Sequence, residues 1–270
     1  MKIAFLGGGN MASALIGGLL AKDFKAGDLS VVEVAAAQRE KLLASYGVHA
    51  SASSDEASRA ADTLVLAVKP QDLRAALAPL AGQVAGKLVL SIAAGVRLAD
   101  IARWLGGHGR LVRCMPNAPA LIGAGITGMY APGAVSAEER KKAETVLGAV
   151  GATVWVGEER LLDPVTAVSG SGPAYVFWLI EQLAAGGRRL GIPDEVSRQL
   201  AVHTVLGAAK LAAGSGEPPD VLRSRVTSKG GTTEAALKVF DEEQLAERFY
   251  RALEAASRRG AELGELLGKD

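Results

Sequence analysis

Hydrophobic and polar residues follow two different periods in the first 156 residues of this chain. Short apolar runs, which predict strands, alternate with segments whose apolar residues recur every three or four positions, which predict amphipathic helices. Strands alternating with helices are typical of a mostly parallel, doubly wound α/β sheet. The predicted strands are residues 2–6, 29–34, 48–50, 63–68, 87–92, 111–115, 126–130 and 153–156; the predicted helices start near Met11 and continue with residues 36–46, 71–80, 99–105 and 137–150.

Beyond residue 161 the pattern is helical only. The predicted helices there are residues 173–190, 194–213, 220–226, 233–240 and 242–267. The change of pattern predicts two domains, an α/β domain over residues 1–161 and an all-helical domain over residues 162–270.

The long helix that opens the second domain is apolar nearly all round. Tyr175, Val176, Phe177, Leu179 and Ile180 are almost contiguous. Because a helix of this kind is normally buried on all sides, we predict a dimer in which helices of two chains interleave. Burial of the helix within its own domain is the alternative.

Three glycines follow the first predicted strand and directly precede a helix. The spacing is the dinucleotide fingerprint Gly-x-Gly-x-x-Gly/Ala, in which the first glycine permits a sharp turn and the second lets the main chain approach a pyrophosphate. The third position, Ala12, is small so that the helix packs close to the strand, and the pyrophosphate lies at the positive end of that helix. The predicted nucleotide contacts in this segment are Leu6, Gly7, Gly9, Asn10 and Met11.

Glu33 lies near the end of the second predicted strand, 21 residues after Ala12, where a carboxylate hydrogen-bonds the adenosine ribose of NAD. Arg39 and Lys41 follow closely, and these cations would suit the 2′-phosphate of NADP. A solvated acid beside a basic helix face is a third interpretation. The spacing leaves the choice between NAD and NADP open.

Small residues and prolines follow three further predicted strands. Open α/β sheets bind ligands at the carboxyl ends of their strands, and small side chains there let a flat nicotinamide lie against the main chain. Ordinary loop composition is the alternative. The predicted nucleotide contacts in these loops are Ala67, Val68, Lys69, Pro70, Ala93, Ala94 and Asn117.

Two segments of the second half combine hydroxyl groups with glycines ahead of a predicted helix. Residues 169–173 read Ser-Gly-Ser-Gly-Pro, and residues 227–233 read Thr-Ser-Lys-Gly-Gly-Thr-Thr. Hydroxyls and free N–H groups at a helix N-terminus form a carboxylate or phosphate site, whereas capping of the helix by Ser or Thr is the alternative. Two glycines exceed what a cap requires, so we favour ligand binding for the second segment.

Composition and residue spacing argue against several other functions. A net charge of +1 over 270 residues favours neither nucleic acid nor an anionic membrane surface, and no apolar stretch reaches the roughly 18–20 residues of a membrane helix. The three histidines, His49, His108 and His203, share no ligand spacing with Cys114, so we predict no metal. A single cysteine and an N-terminus without a leader pattern predict a cytoplasmic protein.

The predicted sites include a nucleotide site and an anion site but no obvious strong general acid or base. This combination suits hydride transfer to a substrate that is already electrophilic, such as an iminium ion. A ketone would usually need a histidine or lysine to stabilise the developing alkoxide.

At these residues the chain closely resembles the pyrroline-5-carboxylate reductases, over essentially its whole length. The matching segments are residues 5–12, 67–71, 113–121, 168–177 and 226–233, of which the last two are the most specific. The resemblance implies a Rossmann-like first domain and an all-helical dimerisation and substrate domain. It also implies reduction of 1-pyrroline-5-carboxylate to L-proline by NAD(P)H, with NADPH as the expected cofactor and NADH as the alternative.

The resemblance further implies roles for individual residues and a partner. The loop near residue 230 binds the substrate carboxylate, and Thr233 hydrogen-bonds the imine nitrogen while C5 receives the hydride. The loop and the nucleotide come from different chains of a homodimer, for which a decamer of dimers is the larger assembly. The implied substrate-binding residues are Ser171, Ser228, Gly230, Gly231, Thr232 and Thr233.

Three positions depart from the commoner family pattern. Lys229 replaces a proline, Pro218 replaces a histidine and Ala118 replaces a threonine. The family roles of that histidine and threonine hydroxyl therefore do not carry over, and Lys229 either attracts the carboxylate or faces solvent.

Two other classes of protein compete with the reductase. A β-hydroxyacid dehydrogenase shares the domain plan but carries a catalytic lysine, and residues 173–190 contain none. A nucleotide-binding module without catalysis should have lost the second-domain loop, yet Thr232 and Thr233 are present.

Overall fold

A computed structural model describes residues 1–269 of the chain. It contains an eight-stranded sheet with the order β3-β2-β1-β4-β5-β6-β7-β8. Strands β1 to β6 are parallel, β7 is antiparallel to β6, and β8 is parallel to β7. The strands are β1 (Ile3–Leu6), β2 (Leu29–Val32), β3 (His49–Ser51), β4 (Thr63–Leu66), β5 (Leu88–Ser91), β6 (Leu111–Met115), β7 (Gly125–Tyr130) and β8 (Gly151–Trp155).

Helices connect the strands and make up the second half of the chain. The α-helices are α1 (Asn10–Leu20), α2 (Ala36–Tyr46), α3 (Glu56–Arg59), α4 (Leu73–Leu77), α5 (Leu98–Trp104), α6 (Ala137–Leu147), α7 (Leu162–Val165), α8 (Gly172–Arg189), α9 (Asp194–Ser215), α10 (Pro219–Arg225), α11 (Thr232–Glu242) and α12 (Leu245–Leu267). The predicted α/β class with a following helical region is confirmed.

The sheet is covered on both faces, as the alternation along β1 shows. Ile3 and Phe5 belong to one buried hydrophobic cluster, and Ala4 and Leu6 belong to a second. Successive side chains of a strand point to opposite faces of the sheet, so each cluster is the core between the sheet and one helical layer. This is the doubly wound arrangement that the apolar strands predict.

Two local predictions differ from the structure. The single helix predicted over residues 71–80 is 3₁₀-helical at Pro70–Asp72, α-helical over α4 and 3₁₀-helical again at Ala78–Leu80. Pro79 has no N–H to donate and interrupts a regular helix, whereas Pro70 stands at the first helical position, where proline is tolerated. The short helix α3 was not predicted; its start is fixed by a capping box in which Asp55 and Ser58 bond each other's main-chain N–H groups.

Contacts between residues divide the chain into two compact units. The first unit contains residues 1–171 and 255–270, and the second contains residues 172–254. The division therefore falls after residue 171, and the last part of α12 belongs with the sheet. The domain boundary at residue 161 stays a prediction.

Helix α8 exposes much of its apolar surface. Val176, Phe177, Trp178 and Leu179 are 42%, 66%, 57% and 45% exposed in the single chain. Within the second unit Tyr175 makes an edge-to-face contact with Phe249, with ring centroids 6.0 Å apart. Burial of the whole helix within its own domain is therefore wrong, whereas the interleaved dimer requires such a surface.

No helix among residues 1–269 is both long and apolar enough to cross a bilayer. The same residues contain no group of three or more His, Cys, Asp or Glu side chains arranged to hold a metal ion.

We predict that Cys114 resists thiol reagents in the folded protein. The residue is buried in β6, with 1% of its surface exposed, and burial raises the pKa of its thiol. Because the thiolate is the reactive form, an aromatic disulfide at pH 8 should modify Cys114 at least about a hundredfold faster in guanidinium chloride than in native buffer. Equal rates would place the thiol at the surface.

Candidate active site

The loop between β1 and α1 passes very close to the end of β4. Gly7 has φ = +97°, and a Cβ atom added there would lie 2.8 Å from the carbonyl oxygen of Ala67. Strands β1 and β4 are the neighbours between which the order of the sheet reverses, and ligands of open α/β sheets bind at such a point. Gly7 therefore permits both the turn and the close approach at the predicted nucleotide site.

Two side chains form hydrogen bonds with the main chain of Gly8. Glu33 Oε2 accepts a hydrogen bond from Gly8 N–H at 2.8 Å, and Gln38 Nε2 donates to the Gly8 carbonyl at 2.5 Å. The other carboxylate oxygen, Glu33 Oε1, accepts from Ala35 N–H at 2.8 Å. Glu33 thus joins the end of β2 to the glycine loop, a role that the sequence prediction did not include. Gln38 was missed altogether, because no motif distinguishes it from other polar residues of α2.

Gly9 leaves space on the side of the loop that faces away from the protein. It is the N-cap of α1, no side chain caps that helix, and a Cβ added at Gly9 meets no atom of the described residues within 4 Å. Ala12, which is 1% exposed, is small enough to let α1 pack on the sheet. The first N–H groups of a helix have no partner within the helix. Open space beside unpaired N–H groups fits the pyrophosphate of a dinucleotide.

A cavity of about 420 Å³ adjoins this loop within the first unit. Its volume lies within the range of about 300–1,000 Å³ for small-molecule sites. The walls come from the ends of β1 and β2, from the segments that follow β3 and β4, and from the helical segments after β4. The lining residues are Leu6, Gly7, Val32, Glu33, Val34, Ala52, Ser53, Ser54, Val68, Ala75, Ala76, Pro79, Leu80 and Gln83. The structure therefore groups Leu6, Gly7, Glu33 and Val68 of the predicted nucleotide contacts around one pocket.

The remaining predicted contacts of the first unit follow the neighbouring strands. Ala67 N–H donates to the Leu6 carbonyl at 2.8 Å, which brings the loop after β4 to the end of β1. Lys69 and Ala94 are exposed and Ala93 is buried. Asn10 is exposed and Met11 is half-buried in the first turn of α1.

Asn117 is engaged by the protein itself. Its Nδ2 donates to the Ser169 carbonyl at 3.1 Å, and its Oδ1 accepts from Ile126 N–H at 2.9 Å. The side chain is largely buried, with 9% of the residue exposed. The carboxamide of Asn117 therefore links Ser169 to β7 and keeps one N–H and one acceptor position free of these two bonds.

The Ser-Gly-Ser-Gly-Pro segment is not the loop that the sequence predicts. Residues Thr166–Gly170 form a π-helix that links α7 to α8. Pro173 has no N–H to bond the Ser169 carbonyl, and Asn117 supplies the missing donor. A Cβ at Gly170 would lie 2.6 Å from Met115 Cε, so the segment packs tightly on the end of β6. Ser171 ends the π-helix, and its N–H bonds the Thr166 carbonyl at 2.8 Å.

The hydroxyl-rich loop before α11 lies in the second unit. Gly230 has φ = +71° and donates its N–H to Glu234 Oε2 at 2.7 Å, and Gly231 N–H donates to the Ser228 carbonyl at 3.0 Å. The N-cap of α11 is Gly231, without a side-chain bond to the helix, so the capping alternative is wrong here. Within the described residues no hydrogen bond engages the hydroxyls of Ser228, Thr232 or Thr233.

The sheet order, the glycine loop and the adjoining cavity are those of a dinucleotide-binding protein of the Rossmann type. The profile described as "NADP oxidoreductase coenzyme F420-dependent" matches residues 2–95, and the profile described as "Pyrroline-5-carboxylate reductase dimerisation" matches residues 159–263.

Whole-chain comparisons agree with these matches. A pyrroline-5-carboxylate reductase of Pseudomonas aeruginosa is 44% identical over 99% of this chain and 98% of its own length. The structure of a pyrroline-5-carboxylate reductase from Coxiella burnetii covers 97% of this chain and 98% of its own, with a TM-score of 0.93 and 38% identity. A Plasmodium falciparum pyrroline carboxylate reductase with NADP bound has a TM-score of 0.84 and 27% identity, over 98% of both chains. The chain belongs to the pyrroline-5-carboxylate reductase family.

Membership of this family confirms the predicted activity, the NAD(P)H-dependent reduction of pyrroline-5-carboxylate to proline. The β-hydroxyacid dehydrogenase alternative is not favoured. Because residues 159–263 match the family's dimerisation domain, the chain also carries the region through which these enzymes oligomerise.

We predict that Asn117→Ala lowers the free energy of unfolding by about 1–3 kcal/mol, because it removes two hydrogen bonds of a largely buried side chain and leaves the Ser169 carbonyl and the Ile126 N–H without these partners. Gln83→Ala is the matched control, since it removes an exposed carboxamide that donates to the Pro79 carbonyl and accepts a long bond from Ser54 Oγ; its effect should stay within about 0.5 kcal/mol. Chemical denaturation measures both. Equal effects of the two substitutions would mean that Asn117 does not link the π-helix to the sheet.

Proposed function

We propose that the loop between α10 and α11 binds the carboxylate of 1-pyrroline-5-carboxylate. The observation that carries this proposal is the set of hydroxyls at Ser228, Thr232 and Thr233 that no group of the described chain uses. The first N–H groups of α11 add donors and a positive helix end. Gly230 and Gly231 let the main chain approach an anion without side-chain obstruction.

Two charged side chains modify this loop. Glu234 accepts from Gly230 N–H and thereby fixes the turn, although its charge opposes that of a bound carboxylate. Lys229 is exposed beside Gly230, where its charge attracts an approaching anion. The net binding preference for a carboxylate rests on the hydroxyls and N–H groups, which need no charge to act as donors.

We assign Thr233 to the ring nitrogen. Thr233 is half-buried at the start of α11, whereas the neighbouring Thr232 is exposed. The bound reduced nicotinamide supplies a hydride. An iminium carbon that accepts it becomes an sp³ carbon of a neutral amine, so no alkoxide forms and no strong general acid is required. A hydrogen bond between Thr233 Oγ and the ring nitrogen orients the C=N bond for this addition.

The nucleotide contacts belong to the same proposal. The glycine loop supplies N–H groups for the pyrophosphate, and the cavity beside Glu33 receives the adenosine. The loops after β4, β5 and β6 flank the nicotinamide. The proposed contacts are Leu6, Gly7, Gly9, Asn10, Met11, Glu33, Ala67, Val68, Lys69, Pro70, Ala93, Ala94 and the main chain of Asn117.

We further propose a homodimer as the functional unit, with the substrate loop of one chain serving the nucleotide of its partner. The exposed apolar surface of α8 supports this assembly. A decamer of dimers is the larger assembly to test by mass. Ser171 is proposed as a further substrate contact, residues 162–270 as the dimerisation and substrate domain, and the cytoplasm as the location.

We predict that Thr233→Val lowers kcat/KM for pyrroline-5-carboxylate by about tenfold to a hundredfold, because it removes the hydroxyl oxygen that accepts from the iminium N–H and orients the C=N bond. Thr233→Ser should restore most of the activity, and the dissociation constant for the nucleotide should not change. Thr145→Val, the same substitution on the exposed face of α6, is the control.

Oxidation of NADH and of NADPH at matched concentrations measures these rates. A kcat/KM of Thr233→Val within twofold of the wild type, about 0.4 kcal/mol, would contradict the role of Thr233. No turnover of pyrroline-5-carboxylate by the wild type with either nucleotide would contradict the function itself.

A further inference from the structure

We propose that Glu33 makes this enzyme select NADH, whose adenosine ribose carries a free 2′-hydroxyl, over the NADPH expected from the family resemblance. The inference rests on the proposed function, in that the adenosine half of the nucleotide occupies the cavity beside the glycine loop.

The carboxylate of Glu33 is fixed in place before any ligand binds. One of its oxygens accepts from Gly8 N–H and the other from Ala35 N–H, both at 2.8 Å. A carboxylate oxygen accepts more than one hydrogen bond, so each oxygen retains an acceptor position for a ribose hydroxyl. Because the group is already held by two N–H donors, it cannot turn away from a ligand without losing both bonds.

The cavity that Glu33 faces has no cation in its wall. Among the lining residues within the described part of the chain, Glu33 is the one with a charged side chain. The polar groups that accompany it are Ser53, Ser54 and Gln83. A cavity of this charge favours a neutral diol and opposes a phosphate, which carries about −1.5 to −2 charges at pH 7.

The cations of the β2–α2 connection do not line this cavity. Arg39 Nη1 donates to the carbonyls of Glu33 and Val34, both at 2.8 Å, and neither Arg39 nor Lys41 lines the cavity. The first turn of α2 begins with Ala36 and Ala37, which offer no hydroxyl. The N–H of Ala35 is already bonded to Glu33. A 2′-phosphate would therefore meet a fixed negative charge with little to compensate it.

Binding of the nucleotides to the wild type without substrate is the first test. Titration calorimetry or quenching of tryptophan fluorescence should give a dissociation constant for NADH at least fivefold below that for NADPH. A smaller ratio, the reverse order, or no binding of either nucleotide overturns the inference.

Substitution of Glu33 is the second test. Because Glu33 also holds Gly8, its removal weakens both nucleotides, and the ratio of the two dissociation constants is the readout. Glu33→Ser should lower the NADH preference at least threefold, and Glu33→Gln, which keeps the size but not the charge, should do the same if Glu33→Ser fails to fold. Glu40→Ser removes an exposed carboxylate of the same helical region and should leave the ratio unchanged. A ratio that changes less than threefold in both Glu33 variants overturns the assignment.

These measurements separate the inference from the proposed function. If the enzyme prefers NADH over NADPH but does not reduce pyrroline-5-carboxylate, the role of Glu33 is supported and the proposed substrate is contradicted. If the enzyme reduces pyrroline-5-carboxylate but binds NADPH at least as tightly as NADH, the proposed function is supported and the role of Glu33 is contradicted.

Discussion

The close approach of β1 and β4 at Gly7 is the constraint on which the nucleotide site depends. The chain must turn sharply after β1, pass within contact distance of the Ala67 carbonyl and enter α1 with its N–H groups unobstructed. Only a residue without a side chain, with φ near +97°, satisfies the first two demands. The turn then places Gly8 between Glu33 and Gln38, so the loop is rigid on its protein side and open on the side of Gly9.

Neighbouring residues of this loop are small for different reasons. Gly7 and Ala12 are small because the protein packs against them, whereas Gly9 has no protein atom to avoid. The fold itself does not require glycine at position 9, and we attribute the glycine there to the approach of the nucleotide pyrophosphate. In the second unit the same kind of reasoning applies to the hydroxyls at the start of α11, which neither cap their helix nor bond the described chain.

The nucleotide loop was predictable because its signal is local: strand, glycines and helix lie within 20 residues. The hydrogen bonds of Asn117 and Gln38 were not predictable, because their partners are set by tertiary packing. Ser169, to whose carbonyl Asn117 donates, lies 52 residues away in the chain. The helix predicted over residues 173–190 begins at Pro173, and proline favours the first turn of a helix. The structure retains a helical path through residues 166–173 because an external donor satisfies the carbonyl that Pro173 leaves free.

Replacement of Gly9 by alanine tests the central claim most directly, with NADH affinity and thermal stability measured on the same protein. If the glycine is required by the pyrophosphate alone, Gly9→Ala should bind NADH at least about thirtyfold more weakly, roughly 2 kcal/mol, while its Tm stays within a few degrees of the wild type. Binding of NADH as tight as that of the wild type would show that the dinucleotide does not lie against this loop.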